Sequence, residues 1–420
     1  MKMIRTEKMR FVNGKTMIVG VDIGKVSNQG YGRCPNGEEV KPFEFLNNGE
    51  GFERFWERIW QAKEDHHLEV VVVGFESTGS YGEPLVQFLS KRPVRLVQVN
   101  PMHTKRLKEL EGNSPEKTDR KDPKVIADII GLGHALTVIV PEGAAAELRR
   151  LTQARERAVQ RKTALWNQLQ SLLVLVFPEF LQVMKDIKTH SARYLLEHYP
   201  TPPEVCHLGL EGLAALLKRV SRGKLKLERA RAVYEAARGS VGIREGERAI
   251  CLEIRELLGV ITATEGFIVG VEEEMGRALE QIPYSPFLLS VRGVGRVTVA
   301  GLIGEVGDFR KFHTLSEIMK LAGLNLFEIS SGQHKGRRHI SKRGRPLLRK
   351  LLFFAAINMV RQKGLLRPFY QRLVGRGMQR IKALVAVARK LLGILFALVR
   401  DQRFYIPGYG EQGAVELEAA

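Results

Sequence analysis

The sequence predicts an α/β layered region followed by a longer, mostly helical one. Three observations carry that expectation. The apolar stretches Met17–Val21, Val70–Phe75 and Arg95–Val99 have strand character and alternate with helical patterns before Pro141. From Ala144 to about Phe177, and again from about Gly246 to Ile282, apolar residues recur at helical spacing over unusually long runs. Apolar helical patterns return at Leu347 to Val360 and at Lys382 to Arg400.

The composition sets the partner. A chain of 420 residues, 44% hydrophobic and 27% charged, buries sizeable cores and divides into two or three domains. Its 66 Lys and Arg against 46 Asp and Glu leave a net charge of +20, with a pI near 9.9, which points to a polyanion and first of all to nucleic acid. A membrane is disfavoured. Runs such as Leu172–Phe177 are too short to span, and Arg389 and Lys390 interrupt the longer one at its centre. Met1 to Lys15 lacks the apolar centre of a signal peptide. Cys34, Cys206 and Cys251 have no metal-ligand spacing. A soluble protein of the reducing cytoplasm, associated with the nucleoid, is the expectation.

In the first region, Met17-Ile18-Val19-Gly20-Val21-Asp22 reads as a buried strand ending in a carboxylate, and Val70–Phe75 ends the same way in Glu76. Between them a helix places Phe52, Phe55, Trp56, Ile59 and Trp60 on one face. Singly, Asp22 reads as a turn or cap residue. Asp119 and Asp122 stand three apart in a polar stretch, and Pro123 makes Asp122 a cap for the helix that follows, with Asp128 a weaker acidic candidate.

The long pattern from Ala144 carries Arg149, Arg150, Arg155, Arg157, Arg161 and Lys162. It reads either as a solvated basic face or as a coiled-coil partner that also touches a nucleic-acid backbone. Shorter helices fill the interval to about Gly242, giving a spacer rather than a catalytic unit. Arg292-Gly293-Val294-Gly295-Arg296 joins two apolar helical patterns in the manner of a helix-hairpin-helix, whose exposed amides meet phosphate. It is not a dinucleotide fingerprint, since no strand precedes it and Thr298 holds the third glycine position. The expected domains are 1–143, 144–282 and 283–404, with 405–420 a disordered tail.

Ser330 and Ser331 precede Lys335, Arg337, Arg338, Lys342, Arg343, Arg345, Arg349 and Lys350, with no acid between them. Such cations hold phosphate oxygens while a hydroxyl attacks phosphorus, or they make a plain nucleic-acid loop in which the serines only donate hydrogen bonds. A serine needs an activator. Asp22, Glu76, Asp119 and Asp122 could converge, but crowded carboxylates repel by about 4 kcal/mol per close pair at an effective dielectric near 20 and need cations. Mg²⁺ or Mn²⁺ suits such an oxygen-rich set and stabilises phosphodiester displacement.

Together these motifs resemble one family. Val19-Gly20-Val21-Asp22, Phe75-Glu76-Ser77-Thr78-Gly79, Lys117-Thr118-Asp119-Arg120-Lys121-Asp122 and Ala322-Gly323-Leu324-Asn325 through Ser330-Ser331-Gly332 and Ile340-Ser341-Lys342-Arg343-Gly344 are similar to the motifs of the DEDD serine transposases of bacterial insertion sequences, the IS-one-ten (IS110) type. The resemblance spans nearly the whole chain. It implies a RuvC-like (RNase H-like) catalytic domain over 1–143, a coiled coil for homo-oligomerisation as a dimer or tetramer, and a C-terminal transposase domain. It also implies a covalent phosphoserine intermediate at Ser331, divalent metal at Asp22, Glu76, Asp119 and Asp122, double-stranded DNA as substrate and a guide (bridge) RNA. The nucleic-acid contacts are expected from Arg292, Gly293, Gly295, Arg296, Lys335, Arg337, Arg338, Lys342, Arg343 and Arg345. Pro123 departs from the small residue usual after the last acid, and Arg292 stands where proline often precedes the first glycine. A metal-dependent nuclease or junction resolvase using water would need the same acids but would leave the serine motif without a role. A non-catalytic nucleic-acid scaffold would need neither.

Overall fold

The computed structural model describes residues 12–76, 79–111, 122–138, 140–328 and 338–407. It divides into two compact units, Met1–Val140 and Pro141–Ala420.

The first unit is a mixed sheet with helices on its faces. Its elements are β1 (Thr16–Asp22), β2 (Ser27–Arg33), β3 (Glu39–Leu46), α1 (Gly49–Asp65), β4 (Val70–Glu76), α2 (Glu83–Ser90), β5 (Arg95–Val99), α3 (Pro101–Glu111), α4 (Asp122–Gly131) and β6 (Ala135–Thr137). The strand order is β3-β2-β1-β4-β5-β6. Strands β1, β4 and β5 run parallel, and β2, β3 and β6 pair antiparallel at the two sides.

Alternation sorts the strand side chains into two layers. Met17, Val19, Val21, Val71, Val73 and Phe75 pack with Phe52, Phe55 and Ile59 of α1 and with Leu85 and Leu89 of α2. Ile18 and Val72 pack with Val125, Ile126, Ile129 and Ile130 of α4. Helix α4 sits so close to the sheet that a Cβ at Gly20 would lie 2.0 Å from the Pro123 carbonyl oxygen, and one at Gly74 would lie 2.3 Å from Ile130 Cδ1. Glycine is what permits that approach.

The second unit is helical apart from one short hairpin. Helices α5 (Gly143–Val176) and α11 (Glu247–Glu280) have 34 residues each and pack along one another. At 1.5 Å per residue each is about 50 Å long. Between them in sequence come α6 (Phe180–Val183), α7 (His190–His198), α8 (Pro202–His207), α9 (Gly209–Val220) and α10 (Leu227–Arg238). These short helices share a core of Phe177, Phe180, Leu195, Leu213 and Val233 with Trp166 and Leu169 of α5 and Ile254, Leu258 and Ile261 of α11. The inserted stretch is thus a helical knob built on one end of the long pair.

The other end of the pair carries a second core. Ala145 and Leu148 of α5 and Met275 and Leu279 of α11 join α12 (Ser285–Leu289), α13 (Arg296–Val306), the 3-10 turn Phe309–Lys311 and α14 (Leu315–Ala322). The hairpin β7 (Leu326–Phe327) and β8 (His339–Ile340) follows, and then α15 (Pro346–Met359), α16 (Arg367–Gly375) and α17 (Arg380–Arg400). Helix α17 buries Val387, Ala388, Leu391, Leu392 and Leu395, with Arg389 half-buried beside them and Lys390 exposed. No helix among the described residues is long and apolar enough to cross a membrane.

At the end of the described chain, the Tyr405 amide donates to Ser290 Oγ at 2.8 Å and Phe404 packs edge-on against Phe287. Residues 408–420 lie outside the described part.

Candidate active site

Two strand ends and one helix start make the acidic part of the site. In the parallel ladder Gly20 pairs with Gly74 and Val21 with Phe75, so Asp22 and Glu76 are the next residues on neighbouring strands. Both have the parity of Gly20 and Gly74, which face α4. Helix α4 begins at Asp122, and the contact between Gly20 and the Pro123 carbonyl pins that beginning to β1. The same register therefore brings Asp22, Glu76 and Asp122 to one face at one end of the sheet. Asp122 is helical and stands at the start of the described part of α4. Asp119 lies outside the described residues.

The turn after Asp22 is tied down by side-chain amides. Asn28 Oδ1 accepts from the Gly24 amide at 3.2 Å, and Asn47 Nδ2 donates to the Gly24 carbonyl at 3.1 Å and to the Tyr81 carbonyl at 3.2 Å. Asp128, the weaker candidate, is engaged elsewhere. Its carboxylate holds Arg33 at 2.5 Å, toward the far end of α4, and so does not join the group.

Two residues of α3 complete the acidic site and were not singled out in the sequence. Lys108 Nζ lies 2.6 Å from Asp122 Oδ1, and the buried Thr104 hydroxyl donates to Glu76 Oε1. Burial pushes the Glu76 carboxyl above the usual carboxylate range, Lys108 pulls it back, and the nearby Asp22 and Asp122 charges push it up again. The three acids are therefore close enough to repel. Among the described residues no three carboxylate, imidazole or thiol side chains enclose a cation position. The donor chemistry still fits a hard divalent ion, since every candidate ligand is a carboxylate oxygen.

In sequence, a braced hairpin flanks the serine motif on both sides. Helix α14 ends at Gly323 in the left-handed conformation (φ 66°), and β7 leaves from there. Leu326 pairs with Ile340 and Phe327 with His339. Below the strands, the Lys342 amide donates to the Gly323 carbonyl at 3.0 Å and the Ser341 amide to the Asn325 carbonyl at 2.9 Å. The Ser341 hydroxyl donates to Asn325 Oδ1 at 2.5 Å. A Cβ on Gly344 would lie 2.4 Å from the Leu321 carbonyl oxygen, so the chain re-enters against the end of α14 with no room to spare. Ser330, Ser331, His334, Lys335 and Arg337 lie in 329–337, outside the described residues.

The basic residues around the hairpin divide by what they touch. Arg345 Nη1 donates to the Glu305 carbonyl, and Arg349 Nη1 donates to the carbonyls of Ala322 at 3.0 Å and Lys342 at 3.3 Å. Lys350 holds Glu156 at 2.5 Å, and Arg338 holds Glu328 at 3.2 Å. Arg345, expected to bind nucleic acid, braces the fold here. Lys342 and Arg343 are exposed. At the glycine turn, Gly293 has φ 98° and Gly295 caps α13, whose first amides lack intrahelical acceptors. Arg292 is exposed there, and Arg296 pairs with Glu280 at 2.8 Å. The acids belong to the first unit; the hairpin and glycine turn belong to the second.

Comparison with known proteins agrees at the level of family. Residues 19–178 match the DEDD transposase family of IS110, described as Transposase, and residues 285–371 match the Transposase IS116/IS110/IS902 family. The chain is 26% identical to the insertion element IS110 uncharacterized 43.6 kDa protein of Streptomyces coelicolor, over 93% of this chain and 95% of that one. It is 25% identical to the insertion element IS900 uncharacterized 42 kDa protein of Mycobacterium paratuberculosis, over 69% of this chain and 73% of that one. It is 27% identical to the transposase for insertion sequence element IS1111A of Coxiella burnetii, over 69% of this chain and 68% of that one.

Proposed function

The chain carries two transposase domains of the IS110 type, and from that premise we propose that it cuts and rejoins DNA during insertion-sequence transposition, with Ser331 as nucleophile. The observation that carries this reading is the shared face of Asp22, Glu76 and Asp122, fixed by strand register and by Gly20, in a chain whose sequence also carries the serine motif between the two strands of a braced hairpin. Strand order and the mix of parallel and antiparallel pairs in the first unit support a RuvC-like domain. Exposed Leu252, Phe267 and Val269 on α11 support pairing of the long helices between copies. The net charge of +20 supports both duplex DNA and a guide RNA as partners.

In this reading the Ser331 oxygen attacks a backbone phosphorus as its proton passes to a base. One P–O bond forms, the bond to a deoxyribose oxygen breaks, and that oxygen takes a proton. The phosphodiester energy stays in the serine link, so a second strand's hydroxyl can displace serine without ATP. Arg337 and Arg338 clamp the phosphate oxygens, Arg338 on leaving Glu328, with the exposed Lys342 and Arg343 beside them in sequence. Asp22, Glu76, Asp119 and Asp122 would hold Mg²⁺ or Mn²⁺, which when bound supplies charge stabilisation for phosphodiester displacement. His334 and His339 are the local alternatives for taking the proton.

The test incubates protein, copurified RNA and DNA with Mg²⁺, digests the product and maps nucleotide-bearing peptides by mass spectrometry. An adduct on Ser331, lost in Ser331→Ala and kept in Ser330→Ala, is the expected result. Efficient cleavage by Ser331→Ala would instead establish attack by water.

A further inference from the structure

From Glu328 to Asp401 the chain contains no intervening acid, and the hairpin accounts for only the first part of that run. Its middle forms a second basic surface. Helix α16 buries none of its residues fully, which is unusual for a helix kept in a packed unit. On it, on the turns either side and in the first turn of α17, Arg361, Lys363, Arg372, Arg376, Arg380 and Lys382 are all exposed. No ion pair with any of the six is found among the described residues, whereas Arg338, Lys350 and Arg400 nearby in sequence are each paired with an acid.

The turns that present these cations are tightly made. Before α16, the Gly364 amide donates to the Arg361 carbonyl at 2.7 Å and the Leu366 amide to the Met359 carbonyl at 3.0 Å. A Cβ on Gly364 would lie 2.2 Å from the Met359 carbonyl oxygen. After it, the Gly377 and Met378 amides donate to the carbonyls of Val374 at 2.9 Å and Leu373 at 3.1 Å, with Gly377 at φ 84°. Like charges held together on a formed surface repel, and a bound polyanion removes that repulsion. We propose that α16, its two flanking turns and the first turn of α17 are a backbone-binding face for duplex DNA, distinct in its residues from the hairpin and the glycine turn.

The choice of duplex over single strand rests on the aromatic residues. Single-strand binders stack bases on open rings. The rings here, Phe369 and Tyr370, pack against the core, and Lys390 Nζ lies 4.5 Å over the Phe369 ring. What remains for a partner is positive charge alone, which is the chemistry of phosphate contact without base readout.

This inference rests on the reading of the chain as a DNA-cutting enzyme, and its test separates the two. Binding of a random-sequence DNA duplex is followed by fluorescence anisotropy across a salt series, for the full chain and for the triple variant Arg372→Gln, Arg376→Gln, Arg380→Gln. Each lost phosphate contact lowers the log–log salt slope by about 0.9, so the triple variant is expected to lose roughly 2 to 3 in slope. Unchanged circular dichroism and melting show that the exposed substitutions left the fold intact. A slope and affinity equal to those of the unaltered chain overturn this face. A loss seen with an RNA duplex but not with DNA overturns the assignment of the partner. Absence of DNA binding by the unaltered chain overturns the broader reading instead.

Discussion

Glu76 shows how burial and neighbouring charges act on one carboxyl. Its carboxyl is pushed upward first by burial, and also by Asp22 and Asp122, against the pull of Lys108. A raised acid binds its proton more tightly in the folded state than in the unfolded one. Its stabilising contribution is complete below the ordinary glutamate pKa and is lost as pH rises through the folded value. Glu76→Gln is therefore expected to raise the melting temperature near neutral pH and to lose that gain in acid, as thermal melts across pH would read. An equal shift at both ends of the range would mean that repulsion at this site is absent. Gly20 is the packing counterpart. Gly20→Ala puts a methyl 2.0 Å from the Pro123 carbonyl oxygen and 3.0 Å from the Ala127 amide nitrogen, both backbone atoms of α4. Overpacking of this kind costs about 1–3 kcal/mol, measurable by urea denaturation. The helix must move, so Asp122 leaves the register of Asp22 and Glu76, and Mn²⁺ affinity measured by titration calorimetry is expected to fall with it.

At the scale of elements, legibility followed the hydrophobic pattern. Strands β1, β4 and β5 were evident because each is a run of Val, Ile or Leu, and the two long helices were evident from spacing. Strands β2 and β3 were not. β2 reads Ser27-Asn28-Gln29-Gly30-Tyr31-Gly32-Arg33, with glycines where a Cβ would strike Phe43 at 2.8 Å or Met17 at 2.6 Å, so neighbours supply the apolar bulk that the strand itself lacks. Pro42 within β3 hid the other strand, and its place at the sheet edge is where proline is tolerated. In the acidic site, Asp22 and Glu76 were legible because carboxylates ending apolar strands are conspicuous. Lys108 and Thr104 were not, since a helical Lys four residues after a Thr is ordinary until the fold sets both against acids. The hairpin supplies the element-scale prediction. Gly344→Ala would place a methyl 2.4 Å from the Leu321 carbonyl oxygen and 2.5 Å from the Gly323 amide nitrogen. It is expected to cost about 1–3 kcal/mol and to unseat the hairpin base. Strand cleavage should fall more than DNA affinity, because Arg292, Arg361 and Lys363 lie outside the hairpin. Equal losses in both would mean that the hairpin is chiefly a binding element.

On the proposed function, the positive charge of the whole molecule holds DNA and the acids cut it. The net charge of +20 is many times what a few phosphate contacts require, and the described candidate acids, Asp22, Glu76 and Asp122, form one small group in the first unit. Neutralising six to ten phosphates would cost a factor of about 10³–10⁵ in affinity between roughly 50 and 200 mM salt. A response of that steepness is expected for the full chain on duplex DNA. Removing an acid has the opposite sign, because Asp22→Asn or Asp122→Asn deletes a negative charge that repels phosphate. In the absence of divalent ions each variant should bind DNA at least as tightly as the unaltered chain, yet show no cleavage when Mg²⁺ is restored. Anisotropy titrations in EDTA, paired with cleavage on gels, read both halves. A nearly flat salt response would remove nucleic acid as the main partner, and retained cleavage in both variants would remove these acids from the chemistry.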